Sequence, residues 1–342
     1  MSSPVIETPQ GSVRVQDAQE TYREMREKME SAFQNLRQGS GDQSSLDALQ
    51  PSLEEFLGYV RTNPTSLALL TNVEEYDDVT FNHGINVCIY AILYGHHQGF
   101  TDDHLFDLAF SALLHDVGKT QLPIDLVQKK GELTEHEYDQ MKKHPRHGRD
   151  LLREYGPTPS ASIIAYQHHE RPDGSGYPQG REELDANALI ISVVDVYEAL
   201  TAPRPYRSPL VPAQAFLVMK DEFHSDPVTR KIRNNLIRCM GLFSLGSFVQ
   251  LSNGMIGVVE KNHAKDLASP VVRVVINEEN EPVDSPFSLD LHKVKQQKVM
   301  KNDRMFDHSI EIKKAISLEA FPDLKPKIRN LIQDETLTLE SE

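Results

Sequence analysis

The chain contains no tryptophan and only two cysteines among its 342 residues. Cys88 and Cys239 stand in separate apolar stretches without CxxC spacing, so the sequence predicts buried, reduced thiols and neither a disulfide nor a thiolate metal site. No apolar run approaches the roughly 18 residues of a membrane span, and the first residues lack the basic and then apolar layout of a signal peptide. We therefore expect a globular protein of the cytoplasm.

Basic side chains are also scarce. The sequence has 36 Lys and Arg against 51 Asp and Glu, which gives a formal net charge of −15. Such a chain has little general affinity for nucleic acid or for an anionic membrane surface. An anionic substrate would therefore need a local cluster of basic side chains. The hydrophobic fraction of 39% is sufficient for a sizeable core.

Changes in periodicity divide the chain into four parts. Helical spacing dominates the first two, and Thr134 with Glu137 predicts a capping box for a helix that should end at His144. Strand-like alternation follows, with Asn253 and Gly254 between two apolar runs, as in a hairpin with a type I′ turn. We expect a helical N-terminal segment of regulatory type at 1–75, a catalytic domain at 76–240, a small β appendage at 241–300 and a charged tail at 301–342.

The N-terminal segment shows a helical pattern but no motif of catalytic or ligand-binding residues. Residues 1–18 look unstructured, whereas apolar residues recur every three or four positions across residues 22–36, as in an amphipathic helix. The short length of the stripe favours packing on the next domain. The alternative is that the stripe forms the interface of a homodimer. The composition of residues 38–45 predicts a flexible linker, and Ser52 with Glu55 predicts a capping box.

The stretch HHERPDGSGYP, residues 168–178, is the most informative part of the sequence. Successive residues of a helix are about 100° apart, so His168 and His169 can reach one centre only near a helix end. The next residues supply such an end, because Gly174 and Gly176 allow positive φ while two prolines fix φ at about −65°. The pattern predicts a metal site closed by a rigid loop.

Further residues of metal-ligand type lie elsewhere in the helical part. His115 and Asp116 open the sequence HDVGK, His83 and His144 flank them, and Asp195 interrupts an apolar run. Polar groups at helix ends or inside apolar helices are costly to bury without partners. Two metal ions would provide those partners, with Asp116 placing one oxygen on each ion while His115 serves only one.

These motifs together resemble one known family. The pattern HHE-x-x-D-G-x-G-Y-P is complete, and with HDVGK and the other three residues in order the chain resembles the HD-GYP branch of the HD-domain phosphohydrolases over residues 75–225. The resemblance implies a mainly α fold, in which an HD-type helical bundle carries a helical N-terminal segment and a small C-terminal β appendage.

The resemblance also implies the ligands of two divalent metal ions. One ion would be held by His83, His115, Asp116 and Asp195, and the other by Asp116, His144, His168 and His169. A water or hydroxide bridging the two ions would be the nucleophile. Nitrogen and oxygen ligands fit several metals, and the family favours iron or manganese. Some relatives have a third metal and a glutamate at the position of Val79, so we expect two ions here.

The implied reaction is hydrolysis of cyclic di-GMP to linear pGpG, with further hydrolysis to GMP as the alternative. Asp116 and Lys119 would be the catalytic residues, with Lys119 neutralising a phosphate oxygen. Arg204 and Arg207 would clamp a second phosphate, and Tyr177 would contact a base or lean on the metal ligands. This basic group would meet the need for a local cationic cluster.

Several alternatives remain at this point. Glu170 and Asp173 would either accept hydrogen bonds from ligand histidines or cap the loop. The substrate could be another nucleotide or cyclic dinucleotide, because the fold alone does not decide it. A non-hydrolysing cyclic di-GMP receptor is a rival of another class. The family also implies contacts of the GYP loop with GGDEF-domain proteins, and a homodimer is a further expectation.

Overall fold

The computed structural model describes most of the chain. The described residues are 5–8, 11–62, 67, 79–155, 158–202, 209–223, 226–243, 247–263, 266–296, 299–301, 304–306 and 310–316. The chain divides into two compact units, a larger one of residues 18–210 and 214–236 and a smaller one of residues 1–17, 211–213 and 237–342.

The larger unit is helical, as the sequence predicts. Its helices pack in a bundle in which consecutive and distant helices contact each other. None of the helices in these ranges is long and apolar enough to cross a membrane. The helices are α1 (Val15–Arg37), α2 (Gln43–Asp47), α3 (Gln50–Thr62), α4 (Val79–His97), α5 (Asp102–Leu114), a 3₁₀ helix (Val117–Gln121), α6 (Ile124–Val127), α7 (Glu135–Met141), α8 (His144–Tyr155), α9 (Pro159–Gln167), α10 (Ala186–Thr201), α11 (Pro212–Glu222) and α12 (Pro227–Met240).

The apolar stripe of helix α1 is buried within the chain. Tyr22, Met25, Met29, Phe33 and Leu36 are all buried. The Phe33 ring packs edge to face on Phe81, in the first turn of α4, with 5.7 Å between the ring centroids. The stripe is therefore buried against the bundle, as packing on the next domain requires.

Three details of the N-terminal segment differ from the sequence expectation. Strands β1 (Val5–Thr8) and β2 (Gly11–Arg14) pair antiparallel where no structure is predicted. Ser52 is not a cap, because α3 has already begun at Gln50, and the Ser52 hydroxyl instead accepts a hydrogen bond of 2.7 Å from Lys28. Part of the segment predicted as a linker is helical, because α2 begins at Gln43 with Asp42 as its N-cap.

Helices α4 and α5 form the centre of the bundle. Helix α4 is apolar on almost every side, and its residues from Ile85 to Tyr94 are buried, as expected for a helix surrounded by others. Thr101 caps α5 by accepting a hydrogen bond from the backbone of His104. Cys88 is buried in α4, and neither Cys88 nor Cys239 forms a disulfide.

The boundary before His144 lies elsewhere than predicted. The capping box of Thr134 and Glu137 is confirmed, and both of its hydrogen bonds are present. Helix α7 ends at Met141, however, and His144 begins α8. Pro145 explains the difference, because proline fits the first turn of a helix but not its interior.

The smaller unit contains the predicted β appendage. Strands β3 (Phe248–Leu251), β4 (Ile256–Lys261), β5 (Val271–Ile276), β6 (Pro282–Asp290) and β9 (Ile312–Ile316) form an antiparallel sheet in the order β6-β5-β4-β3-β9. Strand β9 lies in the predicted charged tail and pairs with β3. A short helix, α13 (Leu291–Gln296), and a separate pair, β7 (Val299–Lys301) and β8 (Arg304–Phe306), precede it.

The turn between β3 and β4 is not type I′. That turn needs positive φ at both central residues, whereas Gly254 has a φ of 96° and Asn253 has none in the positive range. The backbone N–H of Leu251 donates to the carbonyl of Met255 at 2.8 Å and closes a three-residue loop. Glycine at the third loop position supplies the left-handed conformation that this loop needs.

Candidate metal centre

The bundle brings all seven predicted ligand residues together. Two groups have one ligand atom per residue, all within 4.8 Å of one another: one is His83, His115 and Asp116, and the other is Asp116, His144, His168 and His169. Asp195, from the middle of α10, places Oδ1 3.1 Å from Nε2 of His83. Asp116 is common to both groups.

The two oxygens of Asp116 face different groups. Oδ1 lies 3.2 Å from Nε2 of His144 and 3.8 Å from Nε2 of His168. Oδ2 lies 3.6 Å from Nε2 of His83 and 3.4 Å from Nε2 of His115. One carboxylate therefore offers a separate oxygen to each group, which is the arrangement of a bridging ligand.

Backbone carbonyls at the ends of three helices orient three of these histidine rings. The Nδ1 atoms of His115, His144 and His168 donate to the carbonyls of Ala112, Met141 and Ala165 at 2.6, 2.8 and 2.9 Å. These carbonyls belong to last turns of helices, where backbone acceptors have no helical partner. Each hydrogen bond fixes the ring and leaves Nε2 facing the centre. Because α9 ends at Gln167, His168 and His169 can both turn inward, as predicted.

A close backbone contact holds Asp116 beside α8. A Cβ on Gly118 would overlap the carbonyl oxygen of His144 and the amide nitrogen of Gly148. The 3₁₀ helix after Asp116 can therefore lie directly on the first turn of α8 only because residue 118 has no side chain. This contact sets the distance between the shared carboxylate and His144.

The buried polar atoms of the centre fit divalent cations. Within the part of the chain that the structure describes, His115 Nε2 and Asp116 Oδ1 are buried and make no hydrogen bond of good geometry. Unpaired buried polar atoms are uncommon in folded proteins. Imidazole nitrogens and carboxylate oxygens that converge without thiolates are a donor set for a first-row divalent metal.

The protonation states of His168, His169 and Asp116 suit metal binding. Burial first, and then the neighbouring histidines, hold the pKa of His168 and of His169 well below the usual range, so both rings are neutral. Burial alone would raise the pKa of Asp116, but Lys119 and His115 outweigh it and hold that pKa well below its usual range. Neutral imidazole and ionised carboxylate are the forms that bind cations.

His83 differs from the other histidines because of its carboxylate neighbours. Burial alone would lower the pKa of His83, but Glu198 and Asp195 outweigh it and raise the pKa to about 10. A cation at Nε2 would replace the proton that this atom carries.

Lys119 contacts the shared carboxylate. Its Nζ atom lies 2.5 Å from Oδ2 of Asp116, and a quarter of its side chain is exposed. The ammonium group therefore lies between the donor groups and solvent, where an anionic ligand would approach. Arg204 and Arg207 fall outside the described residues, so their predicted role stays a prediction.

The carboxylates of the GYP loop stabilise the loop. Glu170 is buried and accepts backbone hydrogen bonds from Gln179 at 2.7 Å and from Arg181 at 3.0 Å. Asp173 accepts a backbone hydrogen bond of 3.0 Å from Ser175. Of the two roles expected for these carboxylates, these hydrogen bonds support the capping role.

Only one of the two loop glycines needs positive φ. Gly174 has a φ of 75°, as predicted. Gly176 does not, and the expectation for it is wrong. Its Cβ would lie 2.5 Å from the Cα of Glu170 and from the carbonyl oxygen of His169, so glycine is required there by close backbone approach.

Tyr177 joins the metal centre to a basic cleft. Its ring stacks on His169 with centroids 4.6 Å apart, so it leans on a candidate ligand, one of the two predicted roles. It also lines a cleft of about 260 Å³ with Asp139, Lys142, Lys143, Arg146 and Pro178. No sequence motif marks these lysines, which are separated from the loop by some 30 residues.

Glu198 is the important residue that sequence reasoning missed. It is buried, and its Oε2 accepts a hydrogen bond of 2.5 Å from Nδ1 of His83. The available signal was its spacing, since Glu198 follows Asp195 by three residues and lies on the same face of α10. It is the carboxylate that orients a candidate ligand histidine.

The helical bundle thus contains two buried groups of His and Asp donors that share one carboxylate, and such groups could hold divalent metal ions. Residues 73–227 match the HD domain family. Residues 73–227 therefore form an HD domain, and their HHE-x-x-D-G-x-G-Y-P motif resembles that of the HD-GYP branch.

Individual proteins support the same assignment. The chain is 30% identical over 250 residues to a cyclic di-GMP phosphodiesterase of Pseudomonas aeruginosa, covering 71% of this chain and 59% of the relative. It is also 30% identical over 155 residues to the 3′3′-cGAMP-specific phosphodiesterase 3 of Vibrio cholerae, covering 45% and 34%. The chain thus spans less than two thirds of these relatives. A solved HDG"Y"P protein of Bdellovibrio bacteriovorus shares the fold, with a TM-score of 0.53 and 22% identity over 63% of this chain and 69% of that one.

Proposed function

We propose that this protein is a metal-dependent phosphodiesterase that hydrolyses cyclic di-GMP to linear pGpG, with GMP as the alternative end product. The observation that carries the proposal is the division of Asp116 between two donor groups, with Lys119 bound to the same carboxylate. The Pseudomonas relative, named as a cyclic di-GMP phosphodiesterase, supports the choice of substrate.

The metal ions would be iron or manganese, as the family resemblance suggests. Bound there, two divalent cations would supply Lewis acidity to a phosphoryl oxygen and to the attacking water. The residues proposed to hold them are His83, His115, Asp116 and Asp195 for one ion, and Asp116, His144, His168 and His169 for the other.

The remaining residues would bind and orient the substrate. Lys119 would neutralise a phosphate oxygen beside Asp116, and the position of its ammonium next to that carboxylate, with partial exposure, supports this role. Tyr177 offers an aromatic edge at the border of the basic cleft. Lys143 is exposed at this cleft. These groups give an acidic protein a local site for a dianionic dinucleotide, and Arg204 and Arg207 are proposed to extend it.

A second cyclic dinucleotide is the nearest alternative substrate. The Vibrio relative is named as specific for 3′3′-cGAMP, which differs from cyclic di-GMP in one base. The metal centre acts on the phosphodiester and does not distinguish the two. Contacts of the GYP loop with GGDEF-domain proteins, homodimer formation and a pure receptor role stay predictions.

An anaerobic hydrolysis assay tests the proposal. Purified protein loaded with Fe²⁺ or Mn²⁺ would receive cyclic di-GMP or 3′3′-cGAMP, with products resolved by chromatography. The His115→Ala/Asp116→Ala variant should lose all turnover, whereas His136→Ala, which changes an exposed histidine of α7, should match the parent. Faster turnover of 3′3′-cGAMP would favour the alternative substrate. Absence of product from both dinucleotides, with two ions bound per chain, would refute the phosphodiesterase proposal.

A further inference from the structure

A chain of four hydrogen-bonded side chains connects α1 to the metal centre. The Tyr22 hydroxyl donates to Oδ1 of Asn86 at 3.1 Å, and Nδ2 of Asn86 donates to Oε1 of Glu198 at 3.4 Å. The other oxygen of Glu198 lies 2.5 Å from Nδ1 of His83. The exposed fractions of Tyr22, Asn86, Glu198 and His83 are 2%, 8%, 2% and 7%. Solvent therefore does not replace these partners.

The direction of each hydrogen bond is defined by the chemistry of the groups. The Glu198 carboxylate accepts the hydrogen bond from His83, so it fixes the proton of His83 on Nδ1 and leaves Nε2 for a cation. The same carboxylate requires the NH₂ group of Asn86 to face it, which turns the Asn86 oxygen toward Tyr22. The Tyr22 hydroxyl then satisfies that oxygen. Loss of the hydroxyl would leave a buried acceptor without this donor and would free the amide to reorient.

We infer that Tyr22 and Asn86 are positioning residues for His83, so that helix α1 contributes to the affinity of the centre for metal. Tyr22 lies outside residues 73–227, which match the HD domain family, so the helix preceding the domain acts on a candidate ligand inside it. Any signal that displaces α1 would loosen the ion held by His83 without touching substrate. The inference rests on the proposed metal centre and not on the identity of the substrate.

Metal titration of the full-length protein tests the inference. Metal-free protein would be titrated with Mn²⁺, with electron paramagnetic resonance separating free from bound ion and a competing chelator giving the dissociation constants. Tyr22→Phe should weaken the affinity for one of the two ions about fivefold, the effect of one hydrogen bond. Glu198→Gln should weaken it about 10- to 100-fold, as for other partners of ligand histidines.

Tyr59→Phe is the matched control. The Tyr59 hydroxyl lies 3.0 Å from Oγ1 of Thr21, so this variant also removes one hydroxyl beside α1 but leaves Asn86 untouched. We expect its Mn²⁺ affinities to equal those of the parent. Unfolding temperatures measured in parallel would show whether the two tyrosine variants lose similar stability.

The outcomes are distinct. Weaker binding of one ion in Tyr22→Phe, but not in Tyr59→Phe, supports the inference. Equal affinities in Tyr22→Phe and the parent overturn it, and so does equal weakening in the two tyrosine variants, which would indicate general loosening. A loss confined to Glu198→Gln would likewise overturn it, because the effect on His83 would then not extend to α1. Because no substrate is present, failure of hydrolysis would count only against the proposed function.

Discussion

Replacing Gly118 by alanine should pull the two donor groups apart. The added carbon would lie 2.9 Å from the carbonyl carbon of His144 and closer still to its oxygen, whereas ordinary contact begins at 3.4 Å. Both partners are backbone atoms, so no side chain can rotate away. The 3₁₀ helix and α8 would have to separate by at least half an ångström, and Asp116 would move away from His144.

The expected loss is measurable in stability and in metal content. Overpacking of this kind costs about 1–3 kcal/mol. For a unit of this size, about 2 kcal/mol lowers the unfolding temperature by about 6 °C. We expect Gly118→Ala to show this drop by calorimetry and to retain fewer than two ions per chain by elemental analysis after dialysis.

A second glycine provides the control for this prediction. Gly58 lies within α3 and has open space where a Cβ would be. Gly58→Ala should therefore keep both ions and stabilise the helix by up to about 1 kcal/mol. If Gly118→Ala unfolded at the parent temperature with two ions bound, the close backbone contact would not be what sets the geometry of the centre.

Three more perturbations address the centre, the loop and the substrate. Lys119→Gln should lower kcat about 100-fold, the effect of losing one donor to developing charge, while elemental analysis still finds two ions; an unchanged kcat would refute its role. Glu170→Gln cannot accept both loop hydrogen bonds, so thermal unfolding should show a loss of about 1–3 kcal/mol, and an unchanged unfolding temperature would contradict the capping role. Removing metal with a chelator should lower stability by about 2.7 kcal/mol relative to protein at 100 times the dissociation constant; an equal unfolding temperature would show that the ions do not bind the native site.

Local patterns in the sequence predicted individual helices and several of their ends, whereas the family resemblance implied the bundle and the meeting of the seven ligand-type residues. The end of α9 beside His168 follows from two adjacent histidines and a Gly-Pro loop, and Thr134 and Glu137 mark a helix start by themselves. Such signals depend on neighbours within four residues. They are therefore visible before the chain folds.

Features that depend on distant neighbours were not predictable in this way. Glu198 reads as an ordinary helical glutamate until α4 and α10 place it against His83. Gly176 reads as a turn residue, yet the nearby backbone at Glu170 is what excludes a side chain. The boundary at His144 was missed because Pro145 is compatible with both the end of one helix and the start of the next.

The Nδ1 hydrogen bonds of His115, His144 and His168 make each ring part of a helix terminus as well as of the metal centre. Fraying of the last turn of α5, α7 or α9 would release a ring, and a cation holding the ring would oppose the fraying. Amide hydrogen exchange in these three turns should therefore slow when metal is added, while exchange in the β sheet stays the same. In this protein, folding of the helix ends and assembly of the donor set are one thermodynamic event.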